Sequence, residues 1–225
     1  MTLGKRAFDS NGDLTIKVGR RGREFLVCSK TVARASPVFK AMLYGNFKEA
    51  RPADPTESWI VKLPEDDANS VEILFNIIHS HFDRVPDVLS LLGLFWVLVI
   101  TEKYNTTQLL RPWIKGWFAP HCEDVTPNNY ALLLCTAWEL GDETILTTVA
   151  KSLCIDCGID SLGQLTIECS NPRTSYPRVS DKHWKILALS GHLEPPGLLG
   201  ESPVRRLHVV FFFNCPISMF PSIKA

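Results

Sequence analysis

FLVCSKTVARASPVF, residues 25–39, changes its structural period halfway along and marks the change. Residues 25–28 form a short apolar run suited to a buried strand, whereas Ser36 and Pro37 supply a helix N-cap and an N1 proline ahead of Val38, Phe39, Met42 and Leu43. The spacing predicts a strand that feeds short helical pieces. Upstream, Leu14, Ile16 and Val18 alternate with Thr15 and Lys17, and the turn at residues 19–22 leads into a second strand beginning near Arg23. This is the pattern of a hairpin with one buried face. Downstream, Gly45 fits a helix C-cap after Leu43 and Tyr44.

Residues 59–63 read as a third strand, and LPEDD then gives a turn and an acidic helix start at Asp66 or Asp67. Val71, Leu74, Phe75 and Ile78 follow at i, i+3, i+4 and i+7, with Glu72, Asn76 and His79 elsewhere on that helix. The longest hydrophobic run, VLSLLGLFWVLVI at residues 88–100, is closed by Asp87 on one side and by Glu102 and Lys103 on the other. About eighteen such residues are needed to span a bilayer, so the run is expected as a helix buried on nearly every face, ending near residue 104. A further helix is expected over residues 109–118 despite Pro112. After Thr126 and Pro127, two apolar stripes split by Gly141 and Asp142 predict a helix, a tight turn and another helix.

With 225 residues, 45% hydrophobic and 21% charged, the chain can bury one substantial core, and one domain with an elaboration is expected. The formal net charge of zero gives no global field for nucleic acid or an anionic membrane, which leaves protein partners, with no nucleic acid and no membrane. The first residues hold no apolar run of signal-peptide length, and seven cysteines are odd and unpatterned for a disulfide framework. An intracellular, reduced protein of the cytoplasm, the nucleus or both is expected.

Candidate chemistry is sparse. Cys154 and Cys157 could form a thiol-redox or zinc pair, yet they sit at a helix end, where the simpler reading is two small buried residues on one helix face. Cys169, His183 and His192 are too irregularly spaced to complete a zinc site. His79 and His81 lack a third ligand nearby, and Arg20, Arg21 and Arg23 are read as a solvated hairpin turn without interleaved aromatic residues. Trp113 and Trp117, four apart, fit either an exposed aromatic patch or a core stripe. Asp66-Asp67 and Glu123-Asp124 lie at expected turns or helix starts, and no nucleotide-binding loop, nucleophile elbow or metalloprotease motif occurs. No enzyme activity, catalytic residue, cofactor or resident metal is expected.

The motif in residues 25–39 resembles the BTB/POZ pattern Phe-x-Val-His-Lys-x-x-Leu-x-x-x-Ser-x-x-Phe, matched without a gap by Phe25, Val27, Ser36 and Phe39. Val32 replaces the leucine and Cys28 the histidine. Phe47 and Glu49 resemble the Phe-x-Glu segment that BTB proteins carry before their third strand, and EKYN, ending the long apolar run with Tyr104, is similar to the family's Asp-Lys-Tyr signature. AWELGDE resembles the Ala-Trp-x-x-Gly-Asp of the helical extension in many fungal BTB-domain proteins. The resemblance implies an α+β fold, a small and mainly three-stranded sheet flanked by a helical cluster and followed by an all-helical extension, with a short strand near residues 81–85. It implies a protein-protein interaction module: a homodimer or a heteromeric BTB assembly, acting as scaffold or adaptor. Some relatives bind a cullin through the region mapping to residues 68–86 and serve as substrate adaptors for ubiquitin transfer. Others use a charged pocket whose aspartate matches Asp13, but the basic position is Ser29, with Lys30 displaced by one, so corepressor binding is not carried over.

The expected organisation is an N-terminal arm at residues 1–9, a BTB/POZ domain at 10–120, a helical extension at 121–197 and an atypical hydrophobic tail at 198–225. The tail sets VVFFF beside Asn-Cys-Pro and shows no helical amphipathicity. It resembles translated non-coding sequence, since Gly-Glu-Ser at residues 200–202 can be encoded by a run containing an intron donor; the alternative is a genuine strand or hydrophobic anchor.

Overall fold

The computed structural model describes residues 5–54, 56–159, 165–168 and 183–186. It divides into two units, Met1–Asp124 and Val125–Ala225. In the first, strand β1 (Arg6–Ala7) runs parallel to β3 (Arg23–Val27), which pairs antiparallel with β2 (Leu14–Val18). Gly19 and Gly22, at φ 72° and 62°, close the hairpin in the left-handed region that L side chains avoid. Strand β4 (Ile60–Leu63) adds parallel to β2, giving the order β1-β3-β2-β4. The sheet therefore has four strands, one more than the main three expected. The extra strand is only two residues long, too short for any periodic signal, and is held by Phe8. Its N–H donates to the Leu26 carbonyl at 2.8 Å, and its ring packs edge-on against Phe25 and Phe75 at 5.4 and 5.6 Å.

Helix α1 (Ser29–Ala35) and helix α2 (Pro37–Tyr44) meet at Ser36, whose Oγ accepts from the Phe39 N–H at 3.0 Å and donates to the Tyr104 carbonyl at 2.6 Å. Helix α3 (Ala68–Ile78) is capped by Asp67, which accepts from the Ser70 N–H at 2.8 Å. Helix α4 (Leu91–Lys103) is capped by Ser90 through the Gly93 N–H at 3.1 Å. Leu14, Ile16, Val18, Phe25, Val27, Phe39, Leu43, Val71, Leu74, Phe75 and Tyr104 form one core between sheet and helices. Each such side chain contributes about 1.5–3 kcal/mol by leaving water.

Three expectations are corrected here. Residues 81–85 are not a strand: Ser80 at φ 63° turns the chain, and Arg84 N–H to His81 O (3.0 Å) with Val85 N–H to Phe82 O (3.2 Å) close a 3₁₀ turn at Phe82–Arg84. The backbone groups a ladder would use are thus satisfied locally. Helix α4 is not buried all round, because it packs on α3 to one side and leaves Leu92, Phe95, Trp96 and Val99 as a part-exposed stripe, with Trp96 at 38%. The helix expected over 109–118 splits at Pro112, which has no N–H to give, into a 3₁₀ turn at Thr107–Leu110 and helix α5 (Ile114–Cys122).

In the second unit, α6 (Tyr130–Leu140) and α7 (Glu143–Asp156) are joined through Gly141 at φ 66°, and the Asp142 carboxylate accepts from the Ile145 N–H at 3.0 Å. The helix, tight turn and helix are as the sequence reads. Strands β5 (Cys157–Ile159), β6 (Leu165–Glu168) and β7 (His183–Ile186) follow as an antiparallel sheet. The extension is helical with a small sheet appended, not all-helical; strands of three or four residues are too short to announce themselves by alternation. The hydrophobic tail lies outside the described residues.

Candidate interaction face

Helix α2 has two faces with opposite fates. Phe39 and Leu43 point into the core, and Phe39 stacks on Tyr104 at 4.0 Å and 7°. Pro37, Lys40, Ala41 and Tyr44, at i, i+3, i+4 and i+7, face out and, with Gly45, line a groove of about 330 Å³. Gly45 is required there: a Cβ would lie 2.4 Å from the Ala41 carbonyl oxygen. Beyond the groove, Tyr44 is 45% and Phe47 59% exposed.

The Tyr44 end is anchored by a polar chain. Ser29 donates to Asp13 twice, from its N–H at 2.8 Å and its hydroxyl at 2.7 Å, so the Tyr44 hydroxyl donates to Ser29 Oγ at 2.6 Å. Burial pushes the Asp13 carboxyl up, but the Ser29 hydrogen bonds and the Arg51 charge together bring it below the ordinary carboxylate range. The Tyr44 ring meets Trp59 edge-on at 5.9 Å, Trp59 donates its indole N–H to the Glu49 carbonyl at 3.0 Å, and Arg51 lies over the Trp59 ring at 5.9 Å. Asp13 is thus satisfied chiefly by neutral Ser29, and no basic side chain occupies the position next to Cys28.

The other motif residues divide by role. Phe25 and Val27 are core, whereas Cys28 is half-buried and donates its backbone N–H to His79 Nε2 at 3.2 Å. That bond sets the tautomer: His79 Nδ1–H donates to the Phe75 carbonyl at 3.0 Å. Burial holds the His79 pKa below its ordinary value; the Phe75 bond and Asp9 oppose this, and His81 adds to it. His79 and His81 line an open depression of about 500 Å³ with Phe8 and Asp9, but their rings stand 6.4 Å apart and both His79 nitrogens are engaged. Tyr104 and Lys103 both bond the buried Asp66 carboxylate, tying the end of α4 to the turn before α3. Burial, reinforced by Asp66, raises the Tyr104 phenol. Glu49 sits 3.6 Å from Lys48.

A second aromatic patch resolves the Trp113 and Trp117 alternatives. Trp117 is core, donating its indole N–H to the Pro86 carbonyl at 2.7 Å. Half-buried Trp113 stacks on it at 6.2 Å and meets Phe82 at 5.7 Å, and Phe82 is 55% exposed. Sequence reasoning missed Phe82; its only signal was an aromatic set among the polar residues HSHFDR. Arg23 is corrected too. It is not a solvated turn residue but pairs, with Arg6, to Glu72 on α3, and bonds Asn69 at 3.2 Å, while Arg20 and Arg21 are exposed.

The cysteine pair is not two buried residues on one helix face. Cys154 is exposed near the end of α7, and Cys157 opens β5, because the helix ends between them. Cys169 and His192 lie outside the described residues; His183 begins β7. Among the described residues no three His, Cys, Asp or Glu side chains converge to hold a metal, and no helix is long and apolar enough to cross a membrane.

Residues 5–107 match the family model of the BTB/POZ domain. No curated protein matches the chain. The match spans the four-stranded sheet and helices α1 to α4, so this part of the chain has the α+β BTB/POZ fold, a protein-interaction module, with the helical extension beyond it.

Proposed function

From a BTB/POZ domain presented in this way, we propose that the chain works as a self-associating scaffold or adaptor whose BTB/POZ domain, residues 10–120, recruits another protein. The observation that carries this reading is the set of exposed apolar side chains: Val38 and Tyr44 on α2, Phe47 just after it, and Phe82 beside Trp113. Large apolar side chains clustered at a surface are what protein interfaces use as anchors. Self-association proceeds by isologous contacts between copies, as a homodimer or with another BTB chain. One recruited class is a cullin-type ubiquitin ligase, bound through residues 68–86, where exposed Phe82 supplies an anchor beside α3. The site of action is the cytoplasm, the nucleus or both, and the extension at 121–197 is part of the adaptor. The thiol or zinc alternative at Cys154 and Cys157 draws no support from an exposed helical residue followed by a strand residue.

Affinity capture of the tagged full chain, followed by cross-linking and mass spectrometry, tests this. A captured protein should cross-link near Phe47 or Phe82 and be lost with Phe47→Asp or Phe82→Asp, both surface changes. Retention of all captured proteins by both variants would refute the assignment.

A further inference from the structure

The two exposed patches differ in charge. Around Phe82 and Trp113 the signs are mixed: Asp83 and Asp87 stand with Arg84 and Arg111. Across α1, α2 and the segment to Arg51 they are not. Residues 28–51 carry Lys30, Arg34, Lys40, Lys48 and Arg51 against one acid, Glu49, in a chain whose net charge is zero. Lys30, Arg34 and Lys40 are exposed and hold no ion pair among the described residues. Lys48 is matched only by its neighbour Glu49 at 3.6 Å, and Asp13, on which the Arg51 charge acts, is already held by Ser29. Lys40 sits in the wall of the groove itself, between Pro37 and Tyr44.

Resting on the reading of the domain as a protein-docking module, we propose that the α2 groove takes an acidic segment of a partner protein that seats one apolar side chain between Pro37, Ala41 and Tyr44 and places carboxylates against Lys40 and its basic neighbours. The apolar floor and the unmatched cations are complementary to that chemistry and to no cationic one. The groove is shallow and open to solvent, and its five lining residues offer a seat for one apolar side chain. The helix of eight residues that forms it is about 12 Å long, two turns, which limits the docked segment to a short motif. The floor is fixed by hydrogen bonds at its ends, the Gly45 N–H donating to the Ala41 carbonyl at 2.8 Å and the Tyr44 hydroxyl donating to Ser29 Oγ at 2.6 Å. The occupant therefore meets a preformed surface, and its charge sets the encounter rate and the salt dependence.

Fluorescence anisotropy of the full chain with a labelled synthetic peptide, leucine anchors flanked by glutamates, tests the proposal. A matched peptide with lysines in place of the glutamates is the control. The acidic peptide should bind, lose affinity as salt rises, and bind about tenfold more weakly to Lys40→Glu, with Lys62→Glu on the sheet leaving it unchanged. Both substitutions are at exposed positions, and a circular-dichroism melt verifies the fold. Failure of the acidic peptide to bind, equal binding of the lysine peptide, or equal weakening by Lys62→Glu would overturn it. If Phe47→Asp still abolishes capture of a partner while the peptide result fails, only the acidic-segment inference falls. If the peptide result holds while no protein is captured, the adaptor reading falls instead.

Discussion

Acidification should weaken the fold through His79. Its ring bridges two chain segments, donating from Nδ1 to the Phe75 carbonyl at 3.0 Å and accepting the Cys28 N–H at Nε2 at 3.2 Å. Protonation turns Nε2 into a donor facing a donor, so the cation is disfavoured by geometry as well as by burial. The folded pKa lies below the ordinary 6.5, while the unfolded chain protonates near that value. The unfolded state then binds more protons, so the His79 contribution is fully present above about pH 6.5 and is lost as pH falls through the folded pKa. One titrating group can change stability by no more than about 1.4 kcal/mol per pH unit, and screening at a half-buried ring keeps the slope below that ceiling. Breaking the Cys28 bond outright leaves a backbone donor without its acceptor, a cost of about 1–3 kcal/mol. Urea melts of wild type and His79→Phe between about pH 7.5 and 5.5 separate this from general acid denaturation. Wild type should lose stability more steeply below about pH 6.5 than the variant, which is less stable at neutral pH and has no ring nitrogen to titrate. Parallel slopes, or a wild type that gains stability on acidification, would refute the role given to His79.

Phe39→Ala should cost about 3–5 kcal/mol, because it empties the stack on Tyr104 at the centre of the core, whereas Arg21→Ala on the exposed hairpin turn should change stability by no more than about 0.5 kcal/mol; denaturant melts compare the two directly. Asp66→Ala removes the acceptor shared by Tyr104 and Lys103, and thermal melts should show a loss of about 1–3 kcal/mol that a second substitution, Tyr104→Phe, does not deepen to the same extent. Cys154→Ser, at an exposed position on α7, should leave stability within about 0.5 kcal/mol and captured partners unchanged, checked by melt and affinity capture.

The parts of the fold that the sequence displayed are those where one residue type has one physical use. Ser36 followed by Pro37, ahead of an apolar helical stripe, marks a helix start, Gly19 and Gly22 mark the hairpin, and Gly141 ends α6 in the left-handed region. The parts that stayed hidden depend on contacts remote in sequence. Strand β1 exists because Phe8 finds Phe25 and Phe75, and Arg23 leaves solvent because Glu72 waits on α3. His79 was visible as a helix-surface residue and as half of a metal pair with His81, but not as the acceptor of a backbone bond, since its partner Cys28 lies 51 positions away. The interaction face was half legible: Phe47 was marked by its motif, but the groove beside it requires knowing which side of α2 the core takes.

Sedimentation equilibrium of the full chain across micromolar concentrations tests self-association most directly. A reversible dimer should be populated at micromolar protein, and its formation should be indifferent to Cys154→Ser. A monomer persisting at high micromolar concentration would contradict it.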